Sequence, residues 1–178
     1  NVNALITLGG DAEVSGNTAS GQAGGIYLCG VDAEITDAFT VSGNTAKYGG
    51  GIRLMPFSSS LSTVLKLSDD VTVSGNTAEL GGGVCLSSGV SLETADSVAI
   101  DGNFGDLGAG LFLLGSTATV GGASTIDGNN ANLTGGSTAN NAAGGIYLTQ
   151  TTTGDTSTVN LIDTASVSDN DAVNETGG

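Results

Sequence analysis

Apolar and polar positions alternate along this chain in short runs, and the runs recur. In the second repeat they are Gly25 to Leu28, Ala33 to Thr36 and Phe39 to Ser42. A period of two is the signature of a strand with one buried face. No helical pattern competes with it. The chain holds one proline and 31 glycines, and no long stretch of good helix formers.

The runs are tied to a phrase written six times: a β-branched residue, two small or acidic residues, and an asparagine. Glycines and an apolar pair follow five of the copies. The phrase reads Val14-Ser15-Gly16-Asn17 with Gly24-Gly25-Ile26-Tyr27-Leu28, then Val41-Ser42-Gly43-Asn44 with Gly50-Gly51-Ile52-Arg53-Leu54. It continues as Val73-Ser74-Gly75-Asn76, Ile100-Asp101-Gly102-Asn103, Ile126-Asp127-Gly128-Asn129 and Val167-Ser168-Asp169-Asn170. The asparagines lie 27, 32, 27, 26 and 41 residues apart, a near-constant minimum with insertions. Strand and turn at a fixed period describe one coil of a parallel β-solenoid. The reading is all-β: a parallel β-helix over residues 1–178 as a single domain, about six coils with three short strands each.

Stacked coils put like residues about 4.8 Å apart in columns. Val14, Val41, Val73, Ile100, Ile126 and Val167 form one expected column. Small residues form another: Ala19, Ala46, Ala78, Gly105, Ala131 and Ala172. Ile26, Ile52, Val84, Leu111 and Ile146 form a third, and Leu28, Leu54, Leu86, Leu113 and Leu148 a fourth. Each buried Val, Ile or Leu contributes roughly 1.5–3 kcal/mol, enough for these columns to sustain a core. Asn17, Asn44, Asn76, Asn103, Asn129 and Asn170 form a polar column. A side-chain amide carries both donors and acceptors, so it reads as a structural ladder in a coil corner.

These repeats resemble those of the polymorphic outer-membrane proteins of chlamydiae and related bacterial and archaeal surface proteins. That family carries a Gly-Gly-Ala-Ile-type and a Phe-x-x-Asn motif in each coil. Gly24-Gly25-Ile26, Gly50-Gly51-Ile52, Gly82-Gly83-Val84 and Gly144-Gly145-Ile146 match the first, while Val or Ile replaces Phe in the second. The resemblance implies a right-handed coil, as does the general rule for parallel crossovers. It also implies an extracellular or cell-surface location and a role in adhesion.

Eighteen acids face three bases, Lys47, Arg53 and Lys66, for a formal charge of −15. Nucleic acid and anionic membrane are disfavoured partners. No apolar run approaches the ~18 residues of a membrane helix, so no membrane insertion is expected. Histidine and tryptophan are absent. The bases fall in different columns, so no enzyme chemistry and no cofactor is assigned. Arg53 shares an outward column with Tyr27, Cys85, Phe112 and Tyr147, read as a solvated strand face. Asp101 and Asp127 share the column of Ser15, Ser42, Ser74 and Ser168. They are the candidate pair for calcium, a cation that wants six or more oxygens; Asp69-Asp70 and Asp169 with Asp171 are weaker ones. Cys29 and Cys85 should stand two coils apart and out of register, about 11–12 Å between Cα atoms, and so be free thiols. Asn132-Leu133-Thr134 and Asn174-Glu175-Thr176 are glycosylation sequons on expected loops. The threonines at 151–153 and 156–158 do not recur coil after coil, as an ice-binding face would require.

The two ends complement one another. Joining Gly178 to Asn1 sets Val2 in the Ile26 column and Ala4 in the Leu28 column. Neither end shows a polar cap, a helix or a proline block. The expected function is a non-enzymatic extracellular structural protein whose copies stack head to tail into a filament or surface fibre. Its contact would use Val2, Ala4 and Leu5 at one end against Ile146, Leu148, Val167, Gly177 and Gly178 at the other. The alternative is a passenger segment of an adhesin that binds host or neighbouring cells. A carbohydrate-binding or carbohydrate-active β-helix ranks third.

Overall fold

The computed structural model describes residues 4–58, 62–132 and 142–173. Its strands, numbered along the chain, pile into four parallel sheets. The first stacks β1 (Ala4–Leu8), β4 (Val31–Ile35), β7 (Thr63–Leu67), β11 (Val90–Thr94), β15 (Thr117–Val120) and β19 (Thr158–Leu161). The second stacks β2 (Glu13–Ser15), β5 (Thr40–Ser42), β8 (Thr72–Ser74), β12 (Ala99–Asp101), β16 (Thr125–Asp127) and β20 (Ser166–Ser168). A short third sheet holds β9 (Thr77–Leu80), β13 (Phe104–Leu107), β17 (Asn130–Asn132) and β21 (Asp171–Val173). The fourth holds β3 (Ile26–Cys29), β6 (Ile52–Met55), β10 (Val84–Ser87), β14 (Leu111–Leu114) and β18 (Ile146–Thr149). The chain is thus all-β, and successive coils pair in parallel throughout, as in a β-helix.

The third sheet is a correction to the three strands expected per coil. Its segment follows the asparagine and carries a single small inward residue, Ala78, Gly105 or Ala131, too little for an alternating signal. In the first two coils it is reduced to isolated bridges, Thr18 to Thr45 to Thr77 and Gln22 to Tyr48 to Leu80.

The inward columns align as expected. Val14, Val41, Val73, Ile100, Ile126 and Val167 are register partners in sequence. So are Ile26, Ile52, Val84, Leu111 and Ile146, and Leu28, Leu54, Leu86, Leu113 and Leu148. The first sheet adds Ala33, Leu65, Leu92, Ala118 and Val159, beside Ile35, Leu67, Thr94, Val120 and Leu161. Thr94 is tolerated inside because its hydroxyl bonds Ser124 Oγ at 2.9 Å and accepts from Gly121 N–H at 3.2 Å. Thr63 stands inward opposite Val90, fully buried, and its hydroxyl has no hydrogen-bond partner.

The turn between the first two sheets has its own rule. Two residues past the last inward position stand Gly10, Asp37, Asp69, Asp96, Gly122 and Asp163, with φ of 76°, 58°, 55°, 56°, 65° and 58°. This is the left-handed region, which glycine enters freely and aspartate enters with its short polar side chain. Asp69 and Asp96 are therefore turn residues set by backbone conformation. Asp169 likewise fills, at φ 48°, the position that glycine holds before every other ladder asparagine.

Candidate functional site

The side chains of Asn44, Asn76, Asn103 and Asn129 each link three coils. Asn76 Nδ2 donates to Asn103 Oδ1 at 3.0 Å and to the Val41 carbonyl of the preceding coil at 2.9 Å. Its Oδ1 accepts from the Asn44 side chain and from the Asn44 main-chain N–H, both at 3.0 Å. Both donors and both lone pairs are used, which is what a buried amide requires. The same bonds run from Asn17 to Asn44, from Asn103 to Asn129 and from Asn129 to Asn170. Asn44, Asn76, Asn103 and Asn129 are wholly buried.

The glycine motif and the asparagine motif are parts of one device. A Cβ added at Gly51 would lie 2.9 Å from Asn76 Nδ2 and 2.7 Å from the Gly83 carbonyl. Gly25, Gly83, Gly110 and Gly145 meet Asn44, Asn103, Asn129 and Asn170 in the same way, at 2.9–3.0 Å. The second glycine of each pair is thus the seat of the next coil's amide.

The file has a direction. From Asn17 to Asn129, each side-chain amide donates to the asparagine of the coil that follows and never to the asparagine before it. At one end the Asn17 side chain is exposed, and its Oδ1 faces away from Asn44. At the other, Asn170 donates to the Ile126 carbonyl at 2.8 Å and turns its second hydrogen back to its own Ser168 carbonyl at 2.7 Å. The apolar columns also run out uncovered by described residues. Ile6 is 38% exposed at the first coil; Leu148, Leu161 and Val167 are 44%, 48% and 40% exposed at the last.

Two of the expected end placements are corrected. Ala4 pairs with Val31 in β1, so it stands in the first sheet and not in the Leu28 column. Leu5 is opposite Asp32, in an outward column, and is 57% exposed on the flank; the inward residues of β1 are Ala4, Ile6 and Leu8. Val2, Gly177 and Gly178 lie outside the described residues.

The outward column of the fourth sheet is a second correction. Tyr27, Arg53, Cys85, Phe112 and Tyr147 are register partners as expected. The column is not solvated at its centre, where Cys85 is 0% and Phe112 5% exposed. The side chains cover one another. Phe112 and Tyr147 stack with ring centroids 5.6 Å apart and planes 4° from parallel. The Arg53 guanidinium lies 4.9 Å over the Tyr48 ring and donates to Cys85 Sγ at 3.1 Å and Ser87 Oγ at 3.4 Å. Burial pushes the Cys85 thiol up to about 11 despite the Arg53 charge beside it. Both cysteines are free.

Asp101 and Asp127 do stand opposite one another on β12 and β16. Asp127 accepts a 2.6 Å bond from Ser168 Oγ. Among the described residues, no group of three metal-capable side chains surrounds them. Asn132 ends β17, half-buried, and not a loop as expected; Leu133, Thr134 and Asn174 lie outside the described residues. On the third sheet, burial and the Glu79 charge raise the Asp106 carboxyl, while Lys47 pairs with Glu79 at 3.7 Å. An open groove of about 470 Å³ over the first sheet is lined by Lys66, Glu93, Asp96 and Thr119. Thr151 and Thr153 bond the Asp155 carboxylate within their own loop.

No known family, no curated protein and no solved structure matches this chain.

Proposed function

We propose that this chain is a non-enzymatic structural protein of the cell exterior, whose copies assemble head to tail by continuing one β-helix through the contact. The observation that carries this reading is the pair of end coils that no described residue covers, with matching columns. Stacking the first coil of one copy on the last coil of another sets Ile6 over Val159, Leu8 over Leu161, Val14 over Val167 and Ala19 over Ala172, each pair continuing a column already present inside. Unpaired parallel edges with bare core favour further strand pairing. A contact between unlike faces does not close on itself and grows a fibre.

The 18 acids against three bases suit an exterior setting and keep free copies apart. Added salt should screen that repulsion and promote growth. The test is sedimentation and negative-stain microscopy of the purified chain over a concentration series at low and high salt. Fibres one solenoid wide support the proposal. A chain that stays monomeric at high concentration and high salt removes it and leaves the adhesin-segment reading, in which further coils of the same polypeptide occupy these faces.

A further inference from the structure

We infer that the fibre contact is polar and keyed by the asparagine file, with the Asn170 end of one copy donating to the Asn17 end of the next. The inference rests on the head-to-tail reading and adds to it the partner face and the direction. In every internal step, one asparagine offers its side-chain N–H and its main-chain N–H to the same Oδ1 of the following coil, at 2.8–3.0 Å. Asn170 meets no following rung among the described residues; the amide hydrogen that would reach one rests instead on the Ser168 carbonyl of its own turn, which it would exchange for the next copy's Oδ1. Asn17 has the acceptor and meets no preceding rung among the described residues. Donor meets acceptor only when unlike ends face each other. Two Asn17 ends would set acceptor against acceptor, and two Asn170 ends donor against donor. The file therefore rejects both head-to-head and tail-to-tail contacts, by leaving desolvated polar groups unpaired.

The test uses two variants, each with one end disabled. Asn17→Ala removes the acceptor, and Asn170→Ala removes the side-chain donor. Each change lies at a terminal rung, so the bonds among Asn44, Asn76, Asn103 and Asn129 are kept; Asn17→Ala takes one bond from Asn44 Oδ1, and Asn170→Ala takes two from Asn129. Either variant alone should show a contact weakened roughly 10- to 100-fold and no fibres at concentrations where the parent chain polymerises. Mixed one to one, they should form a heterodimer and nothing larger, because one intact donor end meets one intact acceptor end. Circular dichroism and melting check that each variant folds. If the Asn170→Ala coil frays, Val167→Lys takes its place as the blocked end, and Asn17→Ala alone then tests the key.

Variants that still polymerise alone, or a mixture that stays monomeric, overturn the keyed contact while fibres of the parent chain leave the head-to-tail reading standing. A parent chain that never polymerises removes both.

Discussion

Asn76→Ala is the sharpest test of the ladder. Asn76 is wholly buried and its amide makes four hydrogen bonds. Truncation leaves the Asn44 main-chain N–H, one Asn44 amide hydrogen and the Val41 carbonyl without that partner. Each orphaned buried group costs about 1–3 kcal/mol. Water entering the small space returns part of this, so the expected loss is about 3–6 kcal/mol. For a chain of this size that lowers Tm by about 10–20 °C. The control is Asn17→Ala, which removes one bond to Asn44 Oδ1 at an exposed rung and should cost about 1 kcal/mol or less. Urea and thermal unfolding of both variants, read by circular dichroism, give the comparison. Equal losses at the two rungs would refute the claim that the buried file holds the coils in register.

Other perturbations probe the layers around the file. Gly51→Ala should cost about 1–3 kcal/mol, because its Cβ would press on the Gly83 carbonyl and the Asn76 amide; a neutral result in urea unfolding would mean the glycine column does not seat the ladder. Thr63→Val should stabilise by about 1 kcal/mol, since the hydroxyl is buried without a partner opposite Val90, and a lower Tm would contradict that. A thiol reagent should label the half-buried Cys29 in the folded chain and reach Cys85 only in denaturant. Folded Cys85 titrates near 11 against 9.0 for an ordinary thiol, so the unfolded thiol ionises first. Its contribution is therefore complete below about pH 9 and is lost as pH rises from about 9 to about 11, a slope that Cys85→Ala should remove from a pH series of unfolding curves.

Much of the architecture was legible because stacking repeats a local pattern. The inward residues of the second and fourth sheets are apolar and of similar size in every coil, so Val41 and Val73, or Leu54 and Leu86, announce their columns without any knowledge of the third dimension. The asparagine file was legible for the same reason: an invariant polar residue inside an apolar period must bond to its own copies.

What the sequence did not disclose lies where burial depends on neighbours rather than on period. Cys85 and Phe112 alternate outward and read as solvated, yet Arg53 and the aromatic side chains beside them close that face. The third sheet was missed because one Ala or Gly per coil carries no alternation. The register of β1 was missed because Ala4, Leu5 and Ile6 form an unbroken apolar run that shows no alternation to fix which of them face inward. The aspartates at 37, 69, 96 and 163 were legible as acids, but only backbone geometry made them turn residues. Period determines which way a strand faces. Only the folded chain decides what a face meets, because that depends on side chains brought from other columns.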